Sequence, residues 1–198
     1  MGQSVILCCT GPSLKQTNVD KLKATGLPLF GLNNAFEALD LDFWMAVDSA
    51  DQFDQKIWRK DCIKFYAWDF RADKLLRGAK NLFFYKKYGI EKKGHEQFNE
   101  DIVVEGPYIN FIFEGYTFSM ALHMLYWLGF RKVFLVGCDF GGESELSALS
   151  RDYEEDLQQT NLRLALECLR EASAGGRWEI ISATPSSPIN QFLPYEPL

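Results

Sequence analysis

The sequence predicts an α/β protein: a doubly wound, mostly parallel, Rossmann-like sheet with helices on both faces, in a single domain spanning residues 1–198. Three observations predict it. An apolar run over Ser4–Cys9 opens the chain and ends in Thr10-Gly11-Pro12-Ser13-Leu14; continuous apolar runs mark strands buried on both faces. Strand-like and helix-like segments then alternate to the C-terminus, which implies parallel strands joined by right-handed crossovers. Polar clusters follow the strand segments: Thr10–Ser13, Asn33-Asn34, Asp48-Ser49, Gly137-Cys138-Asp139 and Ser182–Pro185. In wound sheets the carboxyl ends of the strands are where ligands bind.

Taken in order, the first strand runs into a loop with specific chemistry. Gly11 lets the backbone turn tightly and approach a ligand. Pro12 suits the first turn of a helix. Ser13 adds a hydroxyl and a main-chain N–H at the helix start, where unpaired N–H groups and the helix dipole favour an anion. An ordinary βα turn explains the same residues. The loop is neither a P-loop nor Gly-x-Gly-x-x-Gly. Asn18–Ala24 reads as a short helix closed by Gly26 and Pro28. Leu29–Leu32 and Asp42–Val47 are short strands. Ala50–Lys60 reads as a helix with Phe53 and Ile57 on one side. Lys64–Trp68 and Asn81–Tyr85 are further strands, and residues 86–107 are polar enough to form a mobile loop. Tyr116–Leu128 repeats Phe118, Ala121, Leu122, Leu125 and Leu128 at helical spacing before Gly129. Val133–Val136 is a buried strand. Asp152–Ala172 is a long helix with Leu162, Ala165, Leu166 and Leu169 as its stripe, and Trp178–Ser182 is the last strand.

Composition narrows the class. The chain is 47% hydrophobic and 15% aromatic, which excludes a disordered protein. No stretch nears the ~20 apolar residues of a membrane span. The N-terminus lacks a charged region before a removable apolar segment, so a cytoplasmic location is expected. Five cysteines, an odd number without Cys-x-x-Cys, read as buried small hydrophobes. Net charge is −6, but residues 56–93 hold twelve Lys/Arg against four Asp/Glu, a local +8 that leaves −14 for the rest. Trp58, Phe65, Tyr66, Trp68, Phe70, Phe83, Phe84, Tyr85 and Tyr88 interleave with those charges. Such a stretch suits an anionic partner, DNA included, or else a solvated basic face over an aromatic core. The aromatic load also admits a homo-oligomer.

The ordered motifs carry a resemblance. Thr-Gly-Pro-Ser-Leu (10–14), Phe-Gly-Leu-Asn-Asn (30–34), Tyr-Thr-Phe-Ser-Met-Ala (116–121), Leu-Gly-Phe-Arg-Lys-Val-Phe-Leu-Val-Gly-Cys-Asp (128–139) and Ile-Ile-Ser-Ala-Thr-Pro-Ser-Ser-Pro-Ile-Asn (180–190) span nearly the whole chain. Together they resemble the bacterial sialyltransferase family that uses CMP-activated sugars. Its relatives include bacterial and phage proteins and the archaeal 6-hydroxymethylpterin diphosphokinase. The resemblance implies that Gly11, Pro12 and Ser13 line the nucleotide phosphates and that Asn33, with Asn34 beside it, binds the phosphate or the transferred group. It implies that Thr117 and Ser119 open a helix that holds the nucleotide. Gly137 and Asp139 would border the nucleoside pocket, with Ser182 and Thr184 opposite. The implied activity is transfer of a sugar from a nucleotide-activated donor, of CMP type, to a hydroxyl acceptor; a phage-type acceptor would be modified DNA bound through 56–93.

Two departures matter. The sialyltransferases carry a histidine base before the last long helix, whereas this chain has Arg151–Gln159 without one. Its two histidines are His95, in the polar loop, and His123, inside a helix. A carboxylate with a raised pKa can serve instead, so Asp48, Glu155 and Asp156 are the candidate bases. Asp48 stands where the family places an asparagine. With Asp51 it suits Mg²⁺ and resembles the diphosphokinase branch, while a helix cap explains Asp48 equally well. Three functions therefore stand side by side: a glycosyltransferase, a Mg²⁺-dependent diphosphotransferase with its metal on Asp48, and a non-catalytic nucleotide-binding module.

Overall fold

The computed structural model describes residues 2–87, 103–105, 108–111, 117–139 and 178–198. Nine strands form one sheet: β1 (Gln3–Cys8), β2 (Leu29–Leu32), β3 (Phe43–Ala46), β4 (Ile63–Ala67), β5 (Leu82–Lys87), β6 (Val103–Glu105), β7 (Tyr108–Phe111), β8 (Phe130–Val136) and β9 (Glu179–Ser182). Their order across the sheet is β6-β7-β5-β4-β3-β2-β1-β8-β9. Every neighbouring pair is parallel except β6 with β7. The described helices are α1 (Ser13–Gln16), α2 (Val19–Ala24) and α3 (Thr117–Trp127).

Strand alternation builds two cores, one on each face. Val5 and Leu7 join Phe30, Met45, Phe65, Val133 and Leu135 on the face that α3 covers. Ile6 and Cys8 point the other way, to Trp44, Tyr66, Phe134 and the side chains of Leu14 (α1) and Leu22 (α2). The doubly wound α/β reading therefore holds. Among the described residues no helix is long and apolar enough to cross a membrane.

The helix expected over Ala50–Lys60 is instead two 3₁₀ turns, Ala50–Gln52 and Gln55–Arg59. Phe53 between them is extended, and the Asp54 side chain accepts the Lys56 N–H. A short acidic side chain bonding its own backbone competes with the helix ladder and restarts the chain there. Part of the 86–107 stretch is sheet. Lys86 and Lys87 finish β5, and Val103–Glu105 is the antiparallel edge strand beside β7. The rest of that stretch, His95 included, lies outside the described residues, as do the 152–172 helix and the candidate bases Glu155 and Asp156. His123 is packed inside α3 at 2% exposure.

The basic segment is less open than its charge count implies. Lys64 is fully buried, and its Nζ donates to the carbonyls of Lys60, Cys62 and Lys80, using all three ammonium protons. Lys56, Lys60 and Lys80 pair with Asp54, Asp40 and Asp61. Trp58 and Tyr66 stack edge-on and face-on around Trp44 in the interior.

Two buried phenols set the alkaline limb of stability. Tyr85 donates its hydroxyl to the Ala46 carbonyl at 3.0 Å. Burial holds the Tyr85 and Tyr66 hydroxyls protonated above the usual value near 10. The unfolded chain gives up those protons near pH 10, so above that pH the native state binds more protons and stability falls as pH rises. The contribution is fully present below pH 10. Replacing Tyr85→Phe should cost about 1 kcal/mol at neutral pH, for the lost hydrogen bond, and should flatten the decline above pH 10. Denaturant midpoints of both proteins between pH 7.5 and 11 check this; parallel curves would contradict it.

Candidate functional site

The strand order reverses at β1, which has β2 on one side and β8 on the other. That reversal makes the carboxyl ends of β1 and β8 the switch point of the sheet, the place where wound sheets form their ligand crevice. Four of the polar clusters meet around it: Thr10–Ser13 after β1, Asn33-Asn34 after β2, Gly137–Asp139 after β8 and Ser182–Thr184 at the end of β9.

Two glycines allow the loops to touch. The Gly11 N–H donates to the Gly137 carbonyl at 2.9 Å. A Cβ on Gly11 would stand 2.1 Å from Asp139 Oδ2 and 2.6 Å from the Gly137 oxygen. Gly137 has φ of +69°, and a Cβ there would press on the Cys9 carbonyl at 2.7 Å. Side chains at either place would force the β1 and β8 loops apart.

The expected row of open amides after β1 is not there. Ser13 N–H donates to Asp139 Oδ2 at 2.9 Å. Gly11 is bonded to Gly137, Leu14 N–H to the Gly11 carbonyl and Lys15 N–H to the Pro12 carbonyl. Pro12 has none to offer. The α1 helix is four residues long, so it adds little dipole, and an internal carboxylate already sits at its start. What the loop presents instead is side-chain chemistry. Ser13 Oγ and Asn33 Oδ1 are buried without a hydrogen-bond partner among the described residues. Buried polar atoms are nearly always satisfied; Asn190 Oδ1, in the turn beyond β9, and Trp58 Nε1, in the core, are likewise without a partner among the described residues.

Asn33 is placed by strain and by a clamp. Its φ is +44°, the left-handed region that asparagine tolerates better than most residues. Trp44 Nε1 donates to its carbonyl at 2.6 Å, fixing the turn that leaves β2. Asn34 follows in the 3₁₀ turn Asn33–Glu37.

On the far side the polar residues are builders. Thr184 Oγ1 donates to the Leu135 carbonyl and accepts the Cys138 N–H. The Ser182 hydroxyl accepts the Thr184 N–H, and its backbone pairs with Pro194 and Glu196 of the C-terminal tail. Both residues are buried. They shape the wall that faces Gly11 rather than lend it open hydroxyls. Ser187 and Asn190 belong to the same wall: Ser187 Oγ donates to the Cys138 carbonyl, and Asn190 Nδ2 to the Thr184 carbonyl. Sequence reasoning did not single these two out. Their signal was Ser187 as a cap followed by Pro188 at the first helical position.

Thr117 is buried in the first turn of α3, with Ser119 in the same turn. Asp48 follows β3, and its carbonyl accepts the Tyr66 hydroxyl. With β2 between β3 and β1, Asp48 stands roughly 10 Å along the rim from Gly11, at the usual spacing of strands. Among the described residues no group of three or more His, Cys, Asp or Glu side chains gathers as a metal-binding cluster.

No protein-family model matches the chain, and no curated protein matches it in sequence. Solved structures match it in fold. The sialyltransferase CstII from Campylobacter jejuni, in complex with the substrate analogue CMP-3FNeuAc, superposes with a TM-score of 0.55 at 13% identity, over 100% of this chain and 87% of that one. CstII with cytidine-5′-monophosphate gives 0.54 at 14% identity, over 98% and 85% of the two chains. A CST-II complex with a trisaccharide acceptor and CMP gives 0.55 at 14%, over 98% and 86%. At such identities the likeness is one of fold, a sialyltransferase-like α/β sheet that extends over the length of this chain.

Gly11→Ala should push the two loops apart. Overpacking of this kind costs about 1–3 kcal/mol, and thermal melts should show it as a Tm several degrees below the parent. An unchanged Tm would mean that the loops do not depend on that contact.

Proposed function

We propose that this chain is a glycosyltransferase that moves a sugar from a nucleotide-activated donor, of CMP type, to a hydroxyl acceptor, with the donor held in the crevice between the ends of β1 and β8. The observation that carries the reading is that Ser13 Oγ, after β1, and Asn33 Oδ1, after β2, are buried without a partner among the described residues at the carboxyl edge of the sheet. The solved sialyltransferases of this fold are seen with CMP and CMP-sugar analogues, which supports the donor class.

On this reading the residues take the following roles. Gly11 and Gly137 hold the β1 and β8 loops together beside the donor. Ser13 can donate its hydroxyl to a phosphate oxygen, and the Asn33 amide can bond the phosphate or the transferred sugar. Asp139 spends one oxygen on Ser13 N–H and keeps acceptor capacity on the other for sugar hydroxyls. The reaction is displacement at the anomeric carbon: the acceptor oxygen bonds to it, the nucleotide phosphate leaves with the bonding pair, and a carboxylate takes the acceptor proton. Rim donors that hold the phosphate more strongly as its charge grows would lower the barrier. Of the three candidate bases, Asp48 is the one within the described residues and follows β3 on the same edge of the sheet; Glu155 and Asp156 are the others.

Calorimetry against CMP, UDP, GDP and ADP tests the donor. CMP should bind, and Ser13→Ala should weaken it about fivefold, the equivalent of one ordinary hydrogen bond near 1 kcal/mol. No binding by any of the four at millimolar concentration would end the reading.

If Asp48 is the base, Asp48→Asn should lower kcat by roughly 10²–10⁴, the usual worth of a positioned base, while donor affinity stays within a factor of two or so. Turnover of a CMP-sugar by both proteins measures it. A kcat left intact would move the role to Glu155 or Asp156.

A further inference from the structure

Two cysteines that the sequence suggests are inert packing groups face each other under the rim. Cys138 Sγ lies 2.8 Å from Cys9 Sγ, against about 2.05 Å for an S–S bond. The sheet puts them there. Cys8 pairs with Val136 in the β1–β8 register, and the Cys9 N–H continues the ladder to the Val136 carbonyl at 2.8 Å. The Cys138 backbone is held on both sides, its N–H by Thr184 and its carbonyl by Ser187. Both thiols lie on the α3 face of the sheet, whereas Cys8 and Cys62 belong to the opposite core. Alternation along β1 therefore separates Cys9 from its sequence neighbour and gives it to Cys138.

We propose that Cys9 and Cys138 form a dithiol pair that a small-molecule disulfide, such as oxidised glutathione, converts reversibly to a Cys9–Cys138 disulfide at the floor of the crevice. The inference does not rest on the glycosyltransferase reading. Cys9 is partly exposed, while Cys138 is 2% exposed, so Cys9 meets the oxidant first. Its thiolate attacks one sulfur of the small disulfide, forms a mixed disulfide and expels a thiolate. The Cys138 thiolate then attacks Cys9 Sγ and expels the second. Two protein thiols lose two electrons and two protons, and one disulfide becomes two thiols. Burial pushes the Cys138 thiol up, which makes it a poor first nucleophile for solution oxidants and leaves the second, intramolecular step to proximity. The bond would join residues 129 positions apart and tie the loop that carries Gly11 and Ser13 to the one that carries Asp139.

The test is thiol mapping under native conditions. Reduced protein is incubated with oxidised glutathione, then denatured in guanidinium chloride containing iodoacetamide, digested and analysed by mass spectrometry. The expected product is a peptide pair linked through Cys9 and Cys138, with alkylatable thiols falling from five to three and returning to five on adding dithiothreitol. Cys9→Ser and Cys138→Ser should abolish the linked pair, and Cys62→Ser should retain it. The same oxidation in urea should give less of that pair, which separates native pairing from random pairing and holds even if a variant folds poorly. Glutathione that stays on Cys9 without a linked pair, links that join other cysteines, or five thiols that all remain alkylatable would each overturn the proposal.

Discussion

The Ser13 main-chain N–H meets the carboxylate of Asp139, 126 positions further along the chain, and it can do so only because Gly11 and Gly137 have no side chains to hold the loops apart. The bond closes the switch point of the sheet. It sets the distance between the ends of β1 and β8, aims Ser13 Oγ and leaves Asp139 with one committed oxygen. The wall beyond it, from Thr184 to Asn190, is cross-braced to the same β8 loop. Ser13 and Asp139 take their positions from that contact, whereas Asn33 is set separately by its own backbone and Trp44.

This arrangement differs from the phosphate cradles of nucleotide-binding loops built on bare amides. There, consecutive N–H groups at the start of a helix supply the charge complement. Here a carboxylate of the protein itself stands at the start of a four-residue helix, and the neighbouring amides are spent on internal carbonyls. Under the proposed function, a phosphate in this crevice would be met by a hydroxyl and an amide side chain beside an acid. Such a site suits a nucleotide that carries a sugar, whose hydroxyls need acceptors as much as its phosphate needs donors.

Much of the fold was legible in the chain, because strands buried on both faces write continuous apolar runs. Val5–Cys8 and Val133–Val136 stood out, and each polar cluster that followed a strand took its place on one edge. The short edge pair β6 and β7 did not, since three or four residues of strand carry too little pattern. The break at Asp54 was hidden for a local reason: Phe53 and Ile57 keep helical spacing across an acid that caps its own restart. In the site, the identity of the rim residues could be read, but the filling of the amide row by Asp139 could not. A bond between residues 126 apart leaves no trace in either local sequence. The charge count of the basic stretch does not reveal that Lys64 is a buried brace and that Lys56, Lys60 and Lys80 are paired with carboxylates.

The central claim is that a nucleotide occupies the crevice between the ends of β1 and β8. Crystals soaked in a mixture of CMP, UDP, GDP and ADP test it most directly. The account predicts difference density for CMP against Gly11, Ser13 and Asn33, with Asp139 still bonded to Ser13 N–H. Density at another edge of the sheet, or a nucleotide that enters only by displacing Asp139 from Ser13, would contradict it.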